Sequence, residues 1–536
     1  MHRRTFLGGS AAAALTTTTA SACTGTSPGP APGPGSGSGS GSGPAKNPET
    51  TPRLTHTATS TRTLAPTPAS WAALAKSLDG PLLRPGDRAW QSAHRLYNTR
   101  FDTLEPSAVA YAAHPDDIRT ALSYARAHHV PVAIRNGGHS YAGWSSGDGR
   151  LIIDVSKLNR VRASGNEATV GAGAKLIDVY RALSAKGVTI PAGSCPTVGV
   201  SGLTLGGGHG VVSRAYGLTC DSLTRATLIT ADGKQITADA KNGHKDLFWA
   251  LRGAGNANFG VVTEFQFRTH PAPRAVTAYL TWPWRRAAAV VRAWQEWGPD
   301  QPDEIWSSLH LAAAPGRTPT VSVAAFSLGG YRELQNAVDR LAGRIGSSAS
   351  KVYLKRRSYA ESMEMYAGCS SFSTDARCHL PGSTPGRSPE GGLGRETYAA
   401  RSDFFDRSIP ADGIRALLSR LTSVRGGAGS IAFTALGGAV NRVSPTATAF
   451  VHRRSRTLVQ YLVSWRPGTS GTDAQSWLAS AHKSMRPYAS GAAYQNYTDP
   501  TLTDWRKAYY ADAAPRLAKL KHQYDPNRVF NNPQAL

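Results

Sequence analysis

The 536-residue sequence predicts a two-domain protein of the α+β class. Three observations point there. The chain is longer than one ordinary core. Up to Pro273 short strands alternate with amphipathic helices, and beyond it the texture changes to long strands separated by helices. Hydrophobic residues make up 40% of the chain and Trp occurs 12 times, which is enough apolar material for a sizeable interior.

The first 66 residues stand apart. Met1-His2-Arg3-Arg4, an apolar run from Phe6 to Leu15 and small residues up to Cys23 have the layout of an export signal. The apolar run is far short of the roughly 20 residues that a spanning helix needs. Arg3-Arg4 before Thr5-Phe6-Leu7 resembles a twin-arginine signal, which serves proteins exported already folded, often with a cofactor inside. "ASAC" resembles a lipoprotein cleavage site, although Ala20 stands where Leu or Val is usual. Lipidation of Cys23, and with it a membrane tether, is left open. Residues 24–66, with the tract "PGPAPGPGSGSGSGSGP", cannot bury enough surface to fold and read as a flexible linker with a reach on the order of 35 Å. The predicted location is extracellular or at the cell surface.

The elements of the body follow in order. "PDDIRTALSYARAHH" (115–129) sets Ile118, Ala121, Leu122 and Ala125 at helical spacing behind an Asp cap, and "VPVAIR" follows as a strand. "LIIDVS" (151–156) and "ATVGAG" are further strands, and "AKLIDVYRALSAKG" puts Leu176, Val179, Tyr180 and Leu183 on one helical face. "TRATLITADGKQITAD" is a hairpin turning at Asp232-Gly233. A helix "KDLFWALRG" and a strand "FGVVTEFQFRTH" complete this half. Past the boundary near 273 come "TAYLTWP", "TVSVAAFSLGG" and "TLVQYLVSW", then a helix from Asp504 to Lys521 and the tail "YDPNRVFNNPQAL". No fixed repeat period is visible, so a solenoid is not expected.

The net charge of +25 is spread over the body. No basic run interleaved with aromatics and no zinc-finger spacing accompanies it, so nucleic acid is not an expected partner. Anionic envelope polymers or lipid surfaces suit an exported cation better. Of the five cysteines, Cys369 and Cys378 lie nine positions apart and are expected to form a local disulfide. Cys220, in "AYGLTCDSL", reads as a small buried hydrophobe, which leaves Cys195 unpaired. Trp282, Trp284, Trp294 and Trp297 offer faces for stacking on sugars, but Val290, Val291 and Trp294 share a helical pattern, so core packing is favoured for most of them.

"GLTLGGGHG" offers backbone with almost no side chains, suited to close approach by a phosphate or a flat ring. It fits no common nucleotide motif: GxxxxGK[ST] is absent, and "GAGAKL" lacks the final glycine of GxGxxG. His139 in "RNGGHSYAG" and Cys195 in "PAGSCPTVGV" each lie in a glycine loop after a strand. One chemistry uses both beside a planar cofactor: a flavin tethered twice, by imidazole at its 8α carbon and by sulfur at the adjacent C6. No metal site is expected.

Together "RNGGHSYAG", "PAGSCPTVGVSGLTLGGGHG", "GAGNANFGVVTEF", "GGAVNRVSPTATAFVHR", "AYQNYTDP" and "YDPNRVF" resemble the berberine-bridge-enzyme-like FAD oxidases of the vanillyl-alcohol-oxidase/PCMH-type superfamily. The resemblance implies a two-part FAD-binding domain (67–273) and a substrate domain (274–500) whose large antiparallel sheet, flanked by helices, covers the isoalloxazine. It also implies a C-terminal segment (501–536) that returns to the FAD domain. FAD would be bicovalently attached, 8α-histidyl through His139 and 6-S-cysteinyl through Cys195. Further FAD contacts would come from Arg135, Asn136, Gly137, Gly138 and Ser140, from Gly199, Gly202, Gly206, Gly207 and Gly208, and from Val262 and Asn496. Tyr494 matches the family's catalytic base and Tyr497 a supporting position. Tyr141 would donate to the base, and Gln460 stands where a Gln or Glu faces the flavin. His209 is implied as a substrate contact and Val198 as lining the oxygen path. The implied activity is an oxidase that takes a hydride from an alcohol or hemiacetal carbon of a bulky oligosaccharide or glycosylated metabolite and passes the electrons to O2. A dehydrogenase with another acceptor, or an inactive envelope-binding flavoprotein, are the alternatives.

Overall fold

A computed structural model describes residues 66–536. The export signal, Cys23 and, but for Pro66, the linker lie outside the described residues. None of the described helices is long and apolar enough to cross a membrane.

The first half carries two larger sheets and a two-stranded one between Val188–Thr189 and His270–Pro271. Ala108–Tyr111, Leu151–Asp154 and Val132–Arg135 run parallel, side by side in that order, with the short Leu82–Leu83 antiparallel at the edge. Leu151–Asp154 is buried throughout, as a strand covered on both faces must be. A five-stranded antiparallel sheet orders Val161–Ser164, Glu167–Gly171, Val261–Arg268, Leu223–Ile229 and Gln235–Asp239, the last two being the expected hairpin. The helices Pro115–Ala127 and Leu176–Ser184 bury the apolar faces read from their spacing.

The second half is built on a seven-stranded antiparallel sheet in the order Lys351–Arg357, Ala275–Trp282, Thr320–Ser327, Ile305–Ala313, Ala428–Ala435, Thr457–Ser464 and Tyr398–Phe405. Side chains alternate across each strand, so the sheet has two chemically different faces. Leu309, Leu311, Ile431, Phe433, Val459, Tyr461 and Val463 belong to a core shared with the helices Ala287–Trp297, Tyr331–Ile345, Ala411–Leu421 and Thr472–Met485. Their in-between neighbours Ser308, His310, Ala432, Thr434 and Gln460 line a cavity instead. Trp282, Trp294 and Trp297 are buried in the helix-side core, so packing accounts for all three.

The C-terminal residues Trp505, Tyr509, Tyr510, Leu517, Leu520 and Phe530 join the core of the first half, not of the second. The "YDPNRVF" motif explains the docking. The carboxylate of Asp525 accepts the N–H groups of Val529 and Phe530 at 2.7 and 2.9 Å, and the buried ammonium of Lys521 donates to Asp525, to Phe530 O and to Asn258 O. The single helix expected from Asp504 to Lys521 is instead two, Trp505–Tyr510 and Ala514–Tyr524. Ala511 adopts φ +42°, which ends the first, and Pro515, without an N–H, fits only the opening turn of the second.

A buried ion pair bolts the halves together. Arg453 makes a two-pronged contact with Asp221 at 2.7 and 2.8 Å, and its side chain is fully buried. Asp221→Asn leaves that guanidinium without a counter-ion and is expected to destabilise the fold by about 3–5 kcal/mol. Asp412→Asn, in an exposed pair with Arg415, is expected to change nothing measurable. Denaturant unfolding of the two variants checks both.

Candidate active site

The site begins with a close approach of two backbones. A Cβ at Gly137 would lie 2.5 Å from both Gly199 N and Thr197 O, so the loop 135–140 can touch the loop 195–199 only because residue 137 has no side chain. Asn136 fastens the joint. Its amide donates to Ala172 O at 2.5 Å, and its oxygen accepts from buried Lys175 Nζ at 2.5 Å. The contact brings His139 and Cys195 to one wall of a cavity of about 420 Å3 between the halves.

His139 is fixed on two sides. Its ring stacks on Tyr97 with centroids 4.0 Å apart, and Nε2 pairs with the Thr197 hydroxyl at 2.8 Å. Burial, helped by the Lys175 charge, pushes the imidazole pKa down to about 3, so it is neutral and nucleophilic. Cys195, expected to stand unpaired, is disulfide-bonded in this structure, which corrects that expectation. The expected disulfide between Cys369 and Cys378 is formed, and Cys220 is a buried free thiol.

Opposite this wall sit four aromatic side chains. Tyr494 is 2% exposed, and its hydroxyl oxygen accepts from Gly208 N at 2.9 Å and from Asn496 Nδ2 at 2.8 Å. Asn496 is oriented in turn by Asn256, which donates to its Oδ1 at 2.8 Å. The Tyr497 hydroxyl meets His209 Nε2 at 2.9 Å, and the Tyr497 ring stacks on Tyr141 with centroids 5.2 Å apart. Gln460 Nε2 donates to the Tyr141 hydroxyl at 2.7 Å and so links the sheet to the loop of His139. Burial raises the pKa of Tyr141, Tyr494 and Tyr497. The Gly208 and Asn496 donors oppose it at Tyr494, and Gln460 opposes it at Tyr141. Burial lowers His209 to about 4.

The cavity therefore collects His139, Cys195, Asn136, Gly137, Gly138, Ser140, Tyr141, Val198, Gly199, Gly202, His209, Val262, Gln460, Tyr494, Asn496 and Tyr497. Four residues expected at the cofactor are placed elsewhere. Arg135 turns away, paired with Asp154 at 2.5 Å and with Tyr111. Gly206, Gly207 and Gly208 do not line the cavity either. A Cβ on them would strike Asn496, Phe450 and Thr219, so these glycines serve packing and the positive-φ turns at Gly207 and Gly208. Sequence reasoning in turn missed the sheet side: Tyr279, Trp306, Ser308, His310, Met365 and Tyr366. The available signal was the alternation Trp306, Ser308, His310 on a strand whose intervening residues include Leu309 and Leu311.

A flat, glycine-edged slot with a neutral imidazole at one end suits the ring and phosphates of FAD, and the fold and cavity define a two-part flavoprotein. A family model described as FAD binding domain matches residues 106–239, and one described as berberine and berberine like matches 493–536. The FAD-linked oxidoreductase YgaK of Bacillus subtilis is 31% identical over 466 residues, covering 86% of this chain and 97% of its own. Chitooligosaccharide oxidase of Gibberella zeae is 28% identical over 480 residues, covering 84% and 91%. Among solved structures, Physcomitrella patens BBE-like 1 superposes with TM-score 0.76 at 30% identity, covering 87% of this chain and 98% of that one. Xylooligosaccharide oxidase from Myceliophthora thermophila, in complex with xylobiose, gives 0.75 at 28%, again covering 87% and 98%. The chain belongs to the berberine-bridge-enzyme-like FAD-linked oxidoreductases.

The joint at Gly137 is testable. Gly137→Ala must part the two loops, so the purified variant is expected to carry little FAD, read as the ratio of visible flavin absorbance to protein absorbance. Ser145→Ala, on the same cavity wall and at a buried hydroxyl without a hydrogen-bond partner, is expected to load normally.

Proposed function

We propose that the protein is an exported oxidase that removes a hydride from an alcohol or hemiacetal carbon of a bulky substrate, an oligosaccharide or glycosylated metabolite, and gives the electrons to O2 with formation of hydrogen peroxide. The observation that carries this reading is the meeting, in one cavity, of a neutral His139 with a tyrosine whose oxygen is held by two N–H donors. Bound FAD supplies the hydride acceptor at its N5 and the route of the electrons to oxygen.

His139 would hold the 8α carbon through Nδ1, since Nε2 is engaged with Thr197. Cys195 lines the same wall and would hold C6 through its sulfur, which requires that sulfur to be outside the disulfide. Tyr494 is the proposed base. To take the substrate's hydroxyl proton it must first be the phenolate, and the Gly208 and Asn496 donors face the oxygen that carries that charge until the proton arrives. Gln460 has no proton to exchange and positions Tyr141. Val198 lines the cavity beside the cofactor loop and is the proposed wall of the oxygen path. The Arg3-Arg4 signal and Cys23 support export and a lipid tether, and the net charge of +25 supports contact with anionic envelope polymers.

A second reading places the proton on Tyr497, because its hydroxyl meets the neutral His209 and could pass a proton onward. Phenylalanine variants separate the two. Tyr494→Phe is expected to lower kcat by on the order of 10²–10⁴-fold with flavin content intact. The larger loss in Tyr497→Phe would move the base there.

Attachment has its own test. Yellow colour should stay with acid-precipitated wild-type protein and be released from a His139→Ala, Cys195→Ala double variant, while release from the wild type would refute covalent attachment. Oxygen uptake measured against dye reduction then decides the acceptor. Turnover with dye alone would make the enzyme a dehydrogenase.

A further inference from the structure

We infer that the protein binds a small monovalent anion, of the halide class, in a polar chamber behind the loop that carries His139, held between Arg135 and Lys175 of the first half and Arg387 of the second. Such a site does not depend on the reaction proposed above, because it lies on the far side of that loop from the cavity.

The first observation is the place and size of the chamber. Its volume is about 30 Å3, close to the roughly 30 Å3 that one water takes in the liquid. A single-atom ion fits such a space, whereas a phosphate or a sugar does not. The chamber shares only Asn136, Gly137 and Gly138 with the lining of the large cavity. It therefore lies across the loop from the space given to FAD. Its outer wall comes from the second half, from Leu380, Pro385, Gly386 and Arg387.

The second observation is an excess of positive charge. Arg135 and Lys175 are 5% and 4% exposed, and half-buried Arg387 joins them, against one lining carboxylate among the described residues, Asp154. Arg95, the remaining basic residue of the lining, is exposed and donates to Gln91 at 3.1 Å. Asp154 is already engaged: Oδ2 accepts from Arg135 Nε at 2.5 Å and Oδ1 from Ser156 N at 2.8 Å. Asp178, the other acid that acts on Lys175, faces His379 at 3.1 Å. The crowding shows in the titrations. Burial, joined by Arg135, lowers Arg387 to about 10, and burial, joined by Arg135 and Arg387, lowers Lys175 to about 8. Both remain cationic at neutral pH, as does Arg135, and cations buried in excess of anions are costly unless an anion accompanies them.

The third observation is an unused donor. Arg135 Nε and Nη2 go to Asp154 and to the Tyr111 hydroxyl, the latter at 3.3 Å, but Nη1 is buried with no hydrogen-bond partner among the described residues. A guanidinium only donates, so what satisfies Nη1 is an acceptor. Arg387 is fixed by Pro381 O and Arg95 O, both at 3.2 Å, which take one proton each from Nη1 and Nη2 and leave further N–H groups to give. The loop presenting it is tight: Gly382 N donates to Ser388 O and Ser388 N to Leu380 O, both at 3.0 Å. It meets the first half at Gly386, where a Cβ would lie 3.0 Å from Lys175 Nζ and from Ser156 Cβ. The Lys175 ammonium is occupied by Asn136, Ser156 and Gly173, so it contributes charge, not a hydrogen bond. Water would satisfy Nη1 and leave the excess charge, whereas a monovalent anion meets both needs. By offsetting the repulsion between Arg135 and Arg387 it fastens the two halves directly behind Gly137 and Gly138.

The test is diffraction from crystals of the FAD-loaded enzyme soaked in sodium bromide, with data collected at the bromine absorption edge. An anomalous peak is expected in the chamber, within hydrogen-bonding reach of Arg135 and Arg387. In solution, thermal unfolding of the FAD-loaded enzyme is followed as sodium chloride replaces sodium gluconate, whose anion is too large for the chamber, at constant ionic strength. A saturating rise in Tm of about 1–3 °C is expected. It should be lost in Arg387→Gln and kept in Arg340→Gln, an exposed residue of the helix Tyr331–Ile345. Absence of the peak, a FAD phosphate or a water in its place, or the same rise in Arg387→Gln would each overturn the inference. Should Arg387→Gln fail to fold, the bromide peak in the wild type decides alone.

Discussion

One steric fact underlies the site: residue 137 has no side chain. Two loops, each following a strand, can touch backbone to backbone only there, and His139, two positions after Gly137, and Cys195, two positions before Thr197, are thereby set into a single wall. Asn136 and Lys175 then hold the joint with side-chain hydrogen bonds, which a buried junction needs because its polar groups have no water. The Lys175 ammonium, being close, also helps to keep His139 neutral. Steric approach, hydrogen bonding and protonation state are thus one arrangement.

The opposite wall depends on the period of a β-strand. With side chains alternating, three neighbouring strands send Leu, Ile, Val and Phe to the helices and Ser, His, Ala, Thr and Gln to the cavity. The apolar side secures the sheet, each fully buried large side chain contributing about 1.5–3 kcal/mol, so the cavity side is free to be polar. The halves are then locked in relation to one another by contacts that cross between them. Tyr494 N donates to Ser402 on the sheet at 2.9 Å while its hydroxyl meets Gly208 in the first half, and Arg453 reaches Asp221.

The loops of His139 and Cys195, the tyrosine pair and the change of texture near 273 were legible because they rest on local patterns: glycine pairs, quoted motifs, helical and strand spacing. The α+β architecture followed from them. What was not legible depends on neighbours distant in sequence. Trp306, Ser308 and His310 look like any alternating strand until the sheet order sets them opposite Ala432 and Gln460. Gly206, Gly207 and Gly208 look like a cofactor cradle, yet their missing side chains make room for Asn496, Phe450 and Thr219. Arg135 belongs to the motif, but the partner that turns it away, Asp154, lies on the neighbouring strand. The break at Ala511 is carried by one positive φ that composition does not announce.

The lack of charge in the cavity also shapes the proposed chemistry. Burial raises every phenol there, so a standing phenolate is disfavoured, and at Tyr494 two N–H groups that face the oxygen oppose this by lowering the pKa toward the phenolate that a base must be. A neutral substrate makes the least demand on such a base if its hydroxyl proton leaves together with the hydride, because neither an alkoxide nor an oxocarbenium then has to exist alone in a dry space. The uncharged side chains around Tyr494 therefore favour a concerted step, and Tyr141, Gln460, Tyr497 and His209 would hold the geometry that such a step needs without adding a charge that would favour a stepwise one.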